Sequence, residues 1–99
     1  MQQYKFNRAF VLRDIGGIYF AVNVKDKRIY QDKKMYAFNQ TGFCLLQLAE
    51  SLESFNPYVL CVKFITLLSG IINESDVLND VQEFCTNVFF KGIFDSYEK

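Results

Sequence analysis

The sequence has no histidine, a single proline and only three cysteines, and no apolar run survives without interruption. Each shortage removes a class of chemistry. Without an imidazole there is no histidine base, no Ser-His-Asp triad and no histidine-ligated metal. Cys44, Cys61 and Cys85 are separated by 17 and 24 residues, spacings that match neither a zinc site nor a redox pair. Each lies in an apolar, helix-patterned stretch, as expected of buried free thiols in a reducing cytoplasm. The first ten residues, MQQYKFNRAF, lack the apolar centre of a signal peptide. Residues 58–72 are the longest apolar region, but Lys63, Ser69 and Gly70 break it, leaving too little to span a bilayer. Gly16-Gly17 is not followed by a helix, so it is not a phosphate loop, and no carboxylate pair stands out in an apolar setting. No catalytic residue, metal or cofactor is therefore expected, and function should lie in a surface.

What is present is apolar and aromatic. Hydrophobic residues make up 51% of the chain, charged residues 22% and aromatics 17%, with 11 Phe and 6 Tyr. That is enough to bury one core, so residues 1–99 are read as one domain. The net charge is zero, but the signs are segregated. Residues 1–49 carry eight Lys/Arg against three Asp, and residues 50–99 carry three Lys against eight Asp/Glu. Such a molecule suits a partner of mixed charge, or simply has two solvated faces. It lacks the broad basic face of a nucleic-acid coat.

Along the chain, FVLRDI (10–15) and IYFAVNV (18–24) are β-branched and aromatic, and Gly16-Gly17 between them predicts a two-residue hairpin. In that register Ile15 faces Ile18, Arg13 faces Phe20 and Val11 faces Val22, and this mostly apolar face is expected to be the core face. Residues 25–34 are polar and basic, a connection. MYAF (35–38) predicts a short third strand with Tyr36 and Phe38 on one side and Met35 and Ala37 on the other. Asn39 or Thr41 caps a first helix over 41–50. After a loop, Pro57 opens a second helix running to about residue 69. That helix is apolar almost all round, so it is either enclosed or covered by a partner; a homodimer through helix 57–69 is one way to cover it. A third helix, 75–91, starts at Asn73 or Ser75 and carries the apolar stripe Val77, Val81, Phe84 and Val88 beside a second stripe of Leu78, Cys85 and Phe89. Gly92 ends it, and Ile93 and Phe94 pack back. The order is β-β-β-α-α-α.

Val11-Leu12-Arg13 with Gly16-Gly17, then Phe38-Asn39-Gln40-Thr41-Gly42, then Asp80-Val81 with Phe84, and finally Lys91-Gly92-Ile93 resemble, in order and spacing, the PqqD family. These are the relatives of the pyrroloquinoline-quinone biosynthesis protein D, also called precursor-peptide recognition elements. The resemblance covers about residues 10–95. Phe38 stands where the family usually has Leu, and Cys85 where Leu is common; both remain apolar. The resemblance implies an α+β, winged-helix-like fold, a three-stranded antiparallel sheet followed by a three-helix bundle, without catalysis. It implies a cytoplasmic adaptor that binds the leader segment of a ribosomally made precursor peptide and presents it to a modifying enzyme, such as a radical SAM maturase or a protease.

In that picture the leader adds as a strand to the open edge of the third strand. The expected site is Lys34, Met35, Tyr36, Ala37 and Phe38 on the edge, with Leu78, Asp80, Val81 and Cys85 on the third helix. Tyr36 and Phe38 would contribute backbone only, and Val81 and Cys85 fit a core role equally well. The competing readings are a winged-helix nucleic-acid binder, which the acidic third helix opposes, and a dimeric assembly module.

Overall fold

The computed structural model describes residues 2–25, 35–68 and 74–97. In chain order the elements are β1 (Tyr4–Phe6), β2 (Phe10–Ile15), β3 (Ile18–Asn23), β4 (Met35–Phe38), α1 (Gln40–Glu50), α2 (Pro57–Leu67), α3 (Glu74–Phe90) and β5 (Phe94–Ser96). This is an α+β fold in which the antiparallel sheet β2-β3-β4 is followed by three helices. Strands β1 and β5, which the sequence did not announce, form a separate antiparallel pair between the two ends of the chain.

Local chemistry explains most of the boundaries. Gly16 and Gly17 have φ of +62° and +85°, the left-handed pair a tight hairpin turn requires. The turn is fastened by the Gly17 N–H, which donates to Asp14 Oδ1 at 3.0 Å. The hairpin register is the expected one, with Val11 opposite Val22, Arg13 opposite Phe20 and Ile15 opposite Ile18. Asn39, not Thr41, caps α1, its Oδ1 accepting from the Gly42 N–H at 2.8 Å. Asn56 caps α2 in the same way through the Val59 N–H, with Pro57 in the first turn. Of the two candidate caps for α3, Asn73 lies outside the described residues, as do residues 26–34 of the basic connection. At the far end Gly92 has φ of +80°. Its N–H donates to the Phe89 carbonyl, and the Ile93 N–H donates to that of Val88, both at 3.0 Å. These two bonds satisfy carbonyls the helix would otherwise leave bare.

One expectation is reversed. The face bearing Val11, Arg13, Ile15, Ile18, Phe20 and Val22 is not the core face: Ile15 and Ile18 are more than half exposed, and Arg13 is exposed. The helices cover the opposite face, where Phe10 and Ala21 are buried and Leu12, Tyr36 and Phe38 pack against them. Both alternations are apolar, so the pattern alone does not choose between them. Phe10 and Ala21 are the residues that fit beneath the helices.

Phe94 sits at the centre of the core. Its ring lies 4.9 Å from that of Phe55, 6.0 Å from Tyr4 and 6.3 Å from Phe84, centroid to centroid. Strand β1 is held on one side by β5 and on the other by Phe55, which exchanges backbone hydrogen bonds with Tyr4 at 2.7 and 2.9 Å. Helix α2 buries Pro57, Leu60, Cys61 and Phe64 and leaves Tyr58, Val59, Val62 and Leu67 exposed. Cys61 and Cys85 are buried, Cys44 is half-buried, and none of the three forms a disulfide. Burial pushes the Cys85 thiol up to about 12. Among the described residues no helix is long and apolar enough to cross a membrane.

Candidate functional site

The sheet has two outer edges, on β2 and β4, and they are not equivalent. A two-residue turn makes Ile15 and Ile18 a hydrogen-bonded pair, and the pattern then alternates along the strands. Phe10, Leu12 and Asp14 therefore direct their backbone groups away from β3. On this edge the Leu12 carbonyl accepts from Arg13 Nη1 at 2.9 Å and the Phe10 N–H donates to the Asn7 carbonyl at 3.0 Å. These contacts blunt the β2 edge.

On the other side Tyr19 and Ala21 point their backbone groups at β4, where they face Phe38 and Tyr36. Met35 and Ala37 occupy the intervening positions. Their N–H and C=O groups therefore point outward, and both residues are exposed. The chain passes from Phe38 directly through the Asn39 cap into α1, so the next element leaves the sheet rather than covering this edge.

Beside the β4 edge lies a trough of about 470 Å³. One wall is Ala37, Phe38 and Asn39, continued by Thr41, Gly42 and Leu45 of α1. The other is α3, which contributes the apolar stripe Val77, Val81, Phe84 and Val88, with Asp80, Asn87 and Lys91 beside it. These seven positions recur at steps of three and four, as one face of a helix must. Phe38 and Phe84 meet edge to face across the trough, with centroids 6.2 Å apart. Gly42 permits that approach: a Cβ there would sit 3.2 Å from Phe84 and 3.3 Å from Phe38. The arrangement offers backbone hydrogen bonds along one side and an apolar surface along the other.

A solved structure shares this architecture. The chain superposes on TbiB1 in complex with the TbiA(beta) leader peptide with a TM-score of 0.68, over 96% of this chain and 99% of that one, at 14% sequence identity. At such low identity the likeness establishes a common fold. No family model and no curated protein matches the sequence.

The structure brings together four of the residues singled out from the sequence: Ala37, Phe38, Asp80 and Val81 all line the trough. Val81 is 2% exposed, so it belongs to the core as well. Met35 lies on the same edge beyond the trough, and Tyr36 is turned toward the core. Leu78 is half-buried against the core and Cys85 is fully buried, while Phe89 is exposed beside the Tyr4 ring; none of the second stripe of α3 lines the trough. Lys34 lies outside the described residues. Sequence reasoning placed Val77, Phe84 and Val88 on one stripe with Val81 but did not assign that stripe to the trough. It used Lys91 only in the closing motif, and it did not assign Asn87 or Lys91 to the site. Counting two and three turns on from Asp80 would have found both.

Proposed function

We propose that the chain is a non-catalytic adaptor of the PqqD type, which binds the leader segment of a ribosomally synthesised precursor peptide. The leader adds as a strand to β4 and lies in the trough against α3, and the domain presents the rest of the precursor to a modifying enzyme such as a radical SAM maturase or a protease. The observation that carries this reading is the outward-facing backbone of Met35 and Ala37 bordering an apolar trough. Strand addition uses those two features: backbone bonds for affinity and alternating side-chain pockets for selection. The fold shared with TbiB1, itself in complex with a leader peptide, and the ordered motifs of the sequence support it further.

The test is titration of the isotope-labelled chain with the leaders of short peptides encoded near its gene. Resonances of residues 35–38 and of the α3 wall should shift together. Ala37→Pro removes one outward N–H at an edge position that tolerates proline. It should weaken binding at least about tenfold, the loss of roughly one backbone hydrogen bond in a strand-addition interface, while the circular dichroism spectrum is retained. Undiminished binding by a folded Ala37→Pro protein would show that β4 is not the docking edge.

A further inference from the structure

The trough has a charge at each end. Helix α3 ends beside Asn7, whose N–H donates to the Ile93 carbonyl at 2.8 Å and whose Nδ2 donates to the Gly92 carbonyl at 2.9 Å. Asn7 lies just before Phe10, which pairs with Asn23 at the end of the sheet where Val22 faces Met35. Lys91 is therefore level with the start of β4. Two turns earlier Phe84 touches Phe38 at the end of β4, and Asp80 lies one turn further on. So α3 runs opposite to β4, with a cation by Met35 and an anion beyond Phe38. Both side chains are exposed, and neither forms an ion pair or hydrogen bond among the described residues. The apolar residues Val81, Phe84 and Val88 lie between them.

We propose that this pair of charges selects the leader's sequence polarity: the trough takes an extended peptide with Lys or Arg toward its N-terminus and Asp or Glu toward its C-terminus, separated by apolar residues. The proposal rests on the strand-addition reading. Eleven helical residues at 1.5 Å each put the two charges about 16 Å apart along the axis. An extended chain covers that in about five residues at 3.3 Å each. Side chains on one face of a strand differ by even steps, so the two peptide charges stand four or six positions apart. Antiparallel pairing, the slightly more stable arrangement per residue, puts the peptide's N-terminal half by Phe38 and Asp80, and its C-terminal half by Met35 and Lys91.

The probes are two synthetic peptides of about twelve residues, long enough for one strand. They share alternating Val and Leu and differ only in exchanging a Lys with a Glu six positions later. With the full chain, the Lys-first peptide should bind about tenfold tighter at low salt, as two solvent-accessible charge pairs allow. The preference should shrink toward about 1 M salt, where the screening length is about 3 Å. In Asp80→Lys/Lys91→Glu, two surface changes that leave the core intact, the preference should invert. Equal affinities, or tighter binding of the Glu-first peptide by the native chain, would overturn the proposal. If equal binding is still lost in Ala37→Pro, only the charge selection fails. If neither peptide shifts the β4 and α3 resonances, strand addition fails with it.

Discussion

Cys85 shows how a single side chain carries a pH dependence without any chemistry of its own. Its thiol is fully buried, and that burial moves it from 9.0 to about 12, because a thiolate would have to be desolvated. Below pH 9 the group is protonated in both folded and unfolded chains, and its contribution to stability is intact. As the pH rises further the unfolded chain loses the proton and the folded chain keeps it. Stability then falls by about 1.4 kcal/mol per pH unit, reaching about 4 kcal/mol by pH 12. Urea unfolding of the native chain and of Cys85→Ala at pH 8 and pH 10.5 should show the native chain losing the more stability, with the difference between the proteins narrowing as the pH rises. The same burial predicts that Cys85 resists alkylation in the folded state, since the thiolate is the reactive form.

At the scale of elements, the trough exists because β4, α1 and α3 come close at one point. Gly42 is buried in the first turn of α1, and the atoms nearest its absent Cβ belong to Asn39, Phe84 and Phe38 at 3.2–3.3 Å. Ala there gains helix propensity of about 1 kcal/mol over Gly while asking those side chains to move by a few tenths of an ångström, so the two effects nearly cancel. Gly42→Val goes further and has to push Phe84 from Phe38. We expect it to cost about 1–3 kcal/mol in chemical denaturation, as overpacking does, and to weaken peptide binding in the same trough; unchanged stability would mean that α1 and α3 are not held this tightly. The elements themselves were largely legible. Gly16-Gly17 fixed the hairpin register, Pro57 marked the start of α2 and Gly92 the end of α3, each through a backbone geometry that other residues adopt poorly. The burial of their faces was less legible. In the hairpin, Val11, Ile15, Ile18 and Phe20 are as apolar as Phe10, Leu12, Tyr19 and Ala21, and each face carries one charge, Arg13 or Asp14. In α3 the two apolar stripes are adjacent: the core takes Val81 and Val88 from one and Cys85 from the other, while only the first stripe borders the trough. Periodicity shows that an apolar face exists; tertiary packing decides which of two it buries.

At the scale of the whole molecule, the ends of the chain close the structure. Strands β1 and β5 are three residues each, too short for a pattern to reveal, and each is stabilised by a partner at the opposite end of the sequence. Phe94 links them to the helices through its contacts with Tyr4, Phe55 and Phe84 and is 1% exposed. Phe94→Ala should therefore cost about 3–5 kcal/mol. Against a total of about 5–15 kcal/mol for an ordinary domain, this should lower the denaturation midpoint sharply; a loss below about 1 kcal/mol would mean that the aromatic cluster is not the hub of the core.

The pairing of β1 with β5 has a mechanical consequence. Tyr4 faces Ser96 and Phe6 faces Phe94, so both chain ends leave the pair on the same side. Tension applied through anything attached to the two ends would open the ladder like a zipper, loading one cross-strand pair at a time rather than shearing all of them together, because the bonds lie across the strands. The outermost ladder bond runs from the Tyr97 N–H to the Gln3 carbonyl at 2.9 Å, and the next residue inward, Tyr4, is bonded on its other side to Phe55. The first tooth of the zipper thus opens onto an anchored residue, and the pull reaches the core through Tyr4 and Phe55 before it reaches the trough.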